Sequence, residues 1–350
     1  MINFCTLFDS NYLTRGLALY ESLQKVCPSF HLYVIAFDNK CFQFLKESNF
    51  SNLTPISLNE FEDEELLKIK PARPGAEYCW TCTPSVVLYC IRQFNLPFCI
   101  YVDADMLFYQ NPQIILDELG DKSILLTEHR YTKEYDQCKE SGIYCVQFLY
   151  FKNNTEGITA LTWWRDRCLE WCYARSEDGK FGDQKYLDDW LERFKGVHIM
   201  QHEGGGVAPW NVQQFKCTTK NGTIYLTNRK SNIEFPLVFF HFHGLKFFAN
   251  DVVSYSGTLY ELDKEVKEVV FLPYVEALLE LERKVKKQGV QFNVNGSKHP
   301  SPSSPKIYST YLKERLMQYK TGRISFRQLM RLKLNKHYHF HKLTSNGKFD

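Results

Sequence analysis

The chain carries two aspartates directly after an apolar run, in a pattern that could hold a metal ion. Residues 98–102 are apolar, and Asp103 and Asp105 follow them. Side chains two positions apart on a strand share a face, and ligands of open α/β sheets bind outside the carboxyl ends of the strands. The pair therefore predicts a site for a divalent cation that receives a diphosphate, with a solvated turn or a helix cap as the alternative.

Further candidate ligands lie late in the chain. His241 ends an apolar run that begins at residue 235, and His243 would share its strand face. A lone histidine in such surroundings is more often a core residue, although a neutral imidazole is also a common metal ligand. The pattern alone leaves both interpretations open for His241.

A glycine-dense segment at 202–211 could contact a second substrate. Gly205 is the middle of three consecutive glycines, which let a backbone approach a ligand closely. An exposed Trp210 could stack on the apolar face of a sugar, and Asn211 adds an amide. A plain flexible turn is the alternative.

The elements that would position these residues follow an α/β pattern. Apolar β-rich runs alternate with segments of helical period over the first 150 residues, which indicates a parallel sheet covered by helices. The predicted strands cover residues 2–8, 30–37, 98–102, 123–127, 145–151, 197–200, 223–227 and 236–242, and later helices cover 155–175 and 183–193. The expected fold class is α/β, a mostly parallel mixed sheet flanked by helices, with a helical C-terminal extension.

The composition divides the chain into four parts. We expect a catalytic domain at 1–255, a helical extension at 256–287, a Pro- and Ser-rich linker at 288–305 and a basic amphipathic tail at 306–350. The tail carries eleven Lys and Arg against two acidic residues, although the whole chain has a net charge of only +3. A basic amphipathic helix predicts contact with an anionic membrane surface. RNA binding and packing against the domain are the competing interpretations of the tail, but no nucleic-acid partner is expected.

Composition also limits the class of protein and its location. The chain has 350 residues, 44% hydrophobic and 24% charged, which excludes a disordered, collagenous or coiled-coil protein. It has no uncharged apolar run near the 18 or so residues of a membrane span and no secretory signal, so its twelve cysteines are expected to be reduced. These features predict a cytoplasmic protein, with peripheral contact on the inner face of a membrane through the tail.

Four separated segments resemble the nucleotide-sugar glycosyltransferases of the GT-A fold, and among them the retaining enzymes of glycosyltransferase family 8, which includes glycogenin and bacterial galactosyltransferases. The segments are Thr6–Tyr12 followed by Arg15-Gly16-Leu17, then Asp103-Ala104-Asp105, Gly182-Asp183-Gln184 and His241-Phe242-His243-Gly244-Leu245-Lys246.

The resemblance implies a role for each segment. Thr6, Asp9 and Tyr12 would surround the base. Asp103, Asp105 and His241 would hold Mn²⁺, or Mg²⁺, and Asp103 would reach the donor diphosphate through it. Asp183 and Gln184 would face the reacting sugar as catalytic residues. Gly244 and Lys246 would contact phosphate, His243 would lie behind the ligands, and the 202–211 loop would border the acceptor.

The activity implied is metal-dependent transfer of a hexose, with retention, from a nucleotide diphosphate sugar to an acceptor hydroxyl. The donor would be UDP-linked, and the acceptor a carbohydrate or glycolipid. One rival class is sugar-phosphate nucleotidyl transfer, which would need a glycine-rich basic loop after the first strand, where residues 9–12 read Asp-Ser-Asn-Tyr. The other is a non-catalytic pseudo-enzyme that binds nucleotide sugars.

Overall fold

The computed structural model describes residues 1–330 and 340–343 of the chain. Its strands are β1 Ile2–Phe8, β2 Phe30–Ala36, β3 Leu53–Ser57, β4 Phe98–Val102, β5 Met106–Phe108, β6 Ile124–Glu128, β7 Tyr144–Lys152, β8 Val197–Ile199, β9 Phe215–Lys220, β10 Thr223–Asn228, β11 Glu234–Pro236, β12 Phe239–His241, β13 Lys246–Phe248, β14 Val252–Ser254 and β15 Phe340–Lys342. Its α-helices are α1 Leu13–Val26, α2 Asn39–Ser48, α3 Leu58–Phe61, α4 Glu64–Ile69, α5 Ala76–Gln93, α6 Gln113–Leu116, α7 Cys138–Ser141, α8 Thr155–Glu170, α9 Trp190–Arg193, α10 Lys264–Val266, α11 Leu272–Lys287, α12 Ser304–Lys320 and α13 Phe326–Leu329.

A seven-stranded sheet forms the centre of the molecule. Its strand order is β3-β2-β1-β4-β7-β6-β8, and only the pairs that involve β7 are antiparallel. Every residue of β1 is buried, and its alternate side chains enter two apolar cores on opposite faces of the sheet. The predicted fold class, including the helical C-terminal part, is confirmed.

Several predicted element boundaries are wrong. The helix predicted at 155–175 ends at Glu170, because Trp171 is extended, with φ −152° and ψ 121°. The helix predicted at 183–193 is a 3₁₀ turn, Gln184–Leu187, followed by the single-turn α9. The strand β5 was not predicted, since three residues are too short for a periodic signal.

A glycine sets the distance between α1 and the end of β1. A Cβ atom on Gly16 would lie 2.3–2.8 Å from three ring atoms of Phe8, the last residue of β1. The helix can pack on that ring only because this position has no side chain. The 3₁₀ turn Ser10–Tyr12, which joins the two elements, is thereby held at the carboxyl end of β1.

The C-terminal extension packs on the same helix. Tyr274 of α11 stacks on Phe242, with ring centroids 3.6 Å apart. In the predicted linker, Val294 and Asn295 are buried, and the backbone N–H of Thr14 donates to the carbonyl of Val294 at 3.4 Å. This part of the 288–305 segment is therefore a packed connection, because its backbone polar groups satisfy those at the start of α1.

The basic tail is partly packed against the domain. Tyr311 of α12 is buried, and Arg323 pairs with Glu140 at 2.8 Å. Further on, β15 adds a third strand to the β13–β14 hairpin. The remaining tail residues, 331–339 and 344–350, lie outside the described residues. Within residues 1–330 and 340–343, no helix has the length and apolar character needed to cross a membrane.

We predict that Gly16→Ala destabilises the protein. Alanine should favour a helix by about 1 kcal/mol, so a loss of about 1–3 kcal/mol in the free energy of unfolding would reflect the clash with Phe8. Urea denaturation measures this change. Gln24→Ala, on the exposed side of α1, is the matched control and should be nearly neutral. A Gly16→Ala protein as stable as the parent would contradict the packing argument.

Candidate active site

The register of one small strand pair brings the predicted metal ligands together. β5 begins directly after Asp105, and β12 pairs with it antiparallel so that His241 lies opposite Met106. The backbone N–H of Phe242 donates to the carbonyl of Asp105 at 2.9 Å. The ladder thus fixes the imidazole beside the two acids at the carboxyl end of β4.

The three side chains form one ionic cluster, in which His241 is buried and the two aspartates are partly buried. Nε2 of His241 lies 3.1 Å from Oδ1 of Asp105 and 3.7 Å from Oδ2 of Asp103. Burial would raise the pKa of Asp105, but the nearby His241 lowers it to about 2. Burial and the Asp105 charge raise the pKa of Asp103 to about 6. Burial alone would lower the pKa of His241, yet the two acids, Asp105 first, raise it well above its ordinary value.

These residues fit a divalent cation. Each offers one ligand atom, and the three atoms all lie within 4.8 Å of one another. Two carboxylate oxygens and an imidazole nitrogen are ligands that Mn²⁺ accepts readily. Because the two acids favour the protonated imidazole, a bound cation would compete with a proton on His241.

The turn after β1 supplies the predicted nucleotide-binding residues. Oγ1 of Thr6 is buried and has no hydrogen-bond partner among the described residues. Asp9 accepts from the backbone N–H of Asn11 at 2.9 Å and thereby caps the turn. Tyr12 is 40% exposed. Burial of the rest of the side chain, and then the charge of Asp105, raise the pKa of its hydroxyl. Tyr12 therefore lies at the mouth of the ionic cluster.

Asp183 lies close enough to the cluster for the charge of Asp103 to act on it. Its side chain forms no capping hydrogen bond with the following 3₁₀ turn. The residue is 3% exposed, and its Oδ2 has no hydrogen-bond partner among the described residues. Burial, with a further contribution from Asp103, raises its pKa to about 7. The neighbouring Gln184 is half-buried, and its amide donates to the carbonyl of Ser141 at 2.7 Å.

The glycine-dense segment is a packed loop, and the exposure expected of Trp210 is not found. A Cβ on Gly205 would meet Sδ of Met200 at 2.4 Å. Trp210 is only 4% exposed, and its indole N–H donates to the carbonyl of His129 at 2.9 Å. The Asn211 amide donates to the same carbonyl and to that of Gly206. These residues support the site from behind, since the Trp210 ring lies 5.4 Å from that of His241.

The turn after β12 carries the remaining predicted residues. Gly244 has φ +81°, a conformation that glycine adopts without strain. His243 is exposed, with its ring 5.6 Å from that of His241, so it lies at the mouth rather than behind the ligands. Lys246 opens β13 and is exposed, and the amide groups of this strand pair with β14.

Two contacts to the cluster were missed from the sequence. The Tyr101 hydroxyl donates to Oδ1 of Asp103 at 3.1 Å. The available signal was the position of Tyr101 near the end of β4, two residues before Asp103. Cys145 of β7 lies near His241: burial raises the pKa of its thiol and the imidazole opposes that rise, a proximity that no local spacing indicates. A separate group of thiols, Cys5, Cys90 and Cys99, lies fully buried in the apolar core and is best explained as packing.

No family model matches the sequence. Two curated proteins of Bacillus subtilis (strain 168) do. The chain is 30% identical to the uncharacterized protein YfnD over 280 residues, which cover 78% of this chain and 87% of YfnD. It is 32% identical to the uncharacterized protein YfnF over 252 residues, which cover 69% of this chain and 81% of YfnF. The chain belongs to the family of these two proteins.

A solved structure shows the fold. The galactosyltransferase LgtC, in complex with donor and acceptor sugar analogs, superposes with a TM-score of 0.51 at 12% identity. The match covers 80% of this chain and 96% of LgtC. The chain therefore has the GT-A fold that the four sequence segments predicted.

We predict that Asp183→Asn stabilises the protein most at alkaline pH. A carboxyl whose pKa rises from 3.8 to about 7 on folding contributes stability that is fully present below pH 3.8 and is lost as the pH rises through 7. Each tenfold change in proton affinity corresponds to about 1.4 kcal/mol, so the gain should grow by a few kcal/mol between pH 5 and pH 8.

Denaturant unfolding of the metal-free protein at both pH values measures this gain. Asp166→Asn, at an exposed position on α8, is the matched control and should show little change at either pH. A gain for Asp183→Asn that is the same at pH 5 and pH 8 would contradict the assigned burial of this carboxyl.

Proposed function

We propose that the protein is a metal-dependent glycosyltransferase that moves a hexose from a nucleotide diphosphate sugar, UDP-linked, to an acceptor hydroxyl. The observation that carries the proposal is the convergence of Asp103, Asp105 and His241 at the carboxyl end of β4. This is where a nucleotide would bind in such a sheet. The GT-A fold and the matching sequence segments support the same activity.

The side chains of the cluster would hold the donor diphosphate through Mn²⁺ or Mg²⁺. A cation on Asp103, Asp105 and His241 would supply a Lewis acid for the departing diphosphate. Tyr101 orients the Asp103 carboxylate by its hydrogen bond. Tyr12 and the turn capped by Asp9 would take the nucleoside. Lys246 and the backbone at Gly244 would contact phosphate.

We further propose that the transfer retains configuration at the anomeric carbon. Asp183 presents a buried oxygen without a protein partner, and this oxygen could stabilise positive charge on the sugar as the donor bond breaks. Gln184, next to it, would help to place the sugar. The departing phosphate oxygen would accept the proton of the acceptor hydroxyl. Because Gly205, Trp210 and Asn211 are buried, a carbohydrate or glycolipid acceptor would be recognised by other residues.

One experiment separates this activity from its rivals. The protein is incubated with Mn²⁺ and a panel of UDP-, GDP-, ADP- and TDP-sugars, and the products are followed by chromatography. Slow release of nucleoside diphosphate supports glycosyl transfer. Pyrophosphate-dependent formation of a nucleoside triphosphate would support nucleotidyl transfer instead, and binding without any product would support a pseudo-enzyme.

We predict that Asp105→Asn lowers metal-dependent turnover by about 100-fold or more, because electrostatic stabilisation of the leaving group is lost. The fold should persist, as circular dichroism can check. Asp117→Asn, at an exposed position after α6, is the matched control and should leave turnover unchanged. Full turnover of Asp105→Asn at saturating Mn²⁺ would remove Asp105 from the ligand set.

We also propose that the tail contacts an anionic membrane. Large apolar side chains are exposed beside basic ones on α12, α13 and their flanks, where Phe326 is 61% exposed. The apolar residues are Leu316, Met317, Tyr319, Phe326 and Met330, and the basic ones include Lys313, Lys320 and Arg327. Apolar groups next to cations suit the interface of an anionic bilayer. A cytoplasmic protein would meet this lipid at the inner leaflet.

Substitution tests this contact better than deletion of the tail, because deletion would also remove β15 from the sheet that it forms with β13 and β14. We predict that Met317→Ser combined with Phe326→Ser lowers partitioning onto phosphatidylglycerol vesicles at least about tenfold. Flotation of the protein with vesicles measures the effect. Leu67→Ser removes an exposed leucine from α4 and should not matter. Equal partitioning of the double variant and the parent would end the membrane proposal.

A further inference from the structure

Arg15 is a buried cation in the first turn of α1. It is only 2% exposed. Its Nη2 donates to the carbonyl of Leu245 at 3.1 Å, and its Nη1 donates to that of Asn295 at 3.4 Å. The guanidinium therefore joins α1 to the turn after β12 and to the packed segment after α11.

None of these partners neutralises the charge. Among the described residues Arg15 forms no ion pair, and its Nε has no hydrogen-bond partner. A buried charge is normally paired, because removing it from water is costly. The first turn of α1 also has no acidic residue, and a cation is unfavourable at the positive end of a helix. Among the described residues no carboxylate lies within ion-pair distance of the guanidinium, so the position suits a further anion.

The charge of Arg15 acts on the candidate active site. Its guanidinium carbon lies 4.4 Å from the centre of the Tyr12 ring, and this ring faces solvent at the mouth of the site. The carbonyl that Arg15 binds, that of Leu245, lies between Gly244 and Lys246. The guanidinium also contributes to the field at Asp105. It therefore lies behind both Tyr12 and the turn after β12, the two walls between which a diphosphate would bind.

We propose that Arg15 is a positioning residue that supplies the counter-charge for the diphosphate of a bound nucleotide and fixes the two walls around it. The inference rests on the proposed function and deepens it, because it names the phosphate groups as the part of the donor that Arg15 recognises. Two carboxylates and a divalent cation are neutral together, so the charge of the diphosphate remains to be balanced. Arg15 provides part of that balance without touching the ligand.

The test compares the binding of uridine, UMP and UDP, in the presence of Mg²⁺, to the whole protein and its variants. Arg15→Gln removes the charge but keeps a donor for the Leu245 carbonyl, and Arg15→Lys keeps the charge. Titrations followed by NMR give the affinities. Charges about 10 Å apart at an effective dielectric constant of about 20 change a binding constant about tenfold.

Arg15→Gln should therefore weaken UDP about tenfold, weaken UMP less and leave uridine unchanged, whereas Arg15→Lys should stay near the parent for all three. Equal losses for uridine and UDP would show a merely structural role and overturn the proposal. Equal losses in the Gln and Lys variants, or no loss at all, would overturn it too. If Arg15→Gln does not fold, as thermal unfolding can show, Arg15→Met takes its place.

The same experiment distinguishes a failure of the proposed function. A parent protein that binds none of UDP, GDP, ADP, CDP and TDP with either Mg²⁺ or Mn²⁺ would overturn the glycosyltransferase proposal, and the role of Arg15 with it. A parent that binds UDP with an affinity insensitive to Arg15 would overturn the role of Arg15 alone.

Discussion

The hydrogen-bond register between β5 and β12 is the constraint on which the site depends. It places His241 opposite Met106, one residue beyond Asp105, and the imidazole then has little freedom. A shift by one residue would turn the imidazole to the other face of the strand. The glycine-dense loop at 202–211 also stabilises this register, because the backbone N–H of His241 donates to the carbonyl of Val207 at 2.9 Å.

Charge explains why the site tolerates so much burial. Two carboxylates so close together would repel each other, and the opposite pKa directions of Asp103 and Asp105 record that cost. Positive charge on His241, which the two acids favour, offsets this repulsion, and a bound cation would do the same. Asp183 avoids part of the same cost by holding its proton up to about pH 7. The cluster is thus organised for positive charge in its centre and for an anion at its mouth.

The sequence predicted what local pattern determines and missed what distant packing determines. Asp103 and Asp105 could be placed because a buried strand ends directly before them. The burial of Trp210 could not, since three glycines suit an open loop and a tightly packed one equally well. In the same way, the polar composition around Val294 resembles a linker, and only the unsatisfied groups at the start of α1 explain why it is packed. The pairing of His241 with the acids lies between these cases, because a family motif supplied what periodicity could not.

The tail is connected to the site through the backbone. β15 pairs with β14, and β14 pairs with β13, whose first residue is Lys246. The loop between β12 and β13 is held from inside by Arg15, which binds its Leu245 carbonyl. The segment that would contact phosphate is therefore fixed at one end by a buried cation and at the other by a sheet that the tail completes. Strand pairing therefore places part of the tail in the same small sheet as Lys246, although 94 positions separate Lys246 from Phe340.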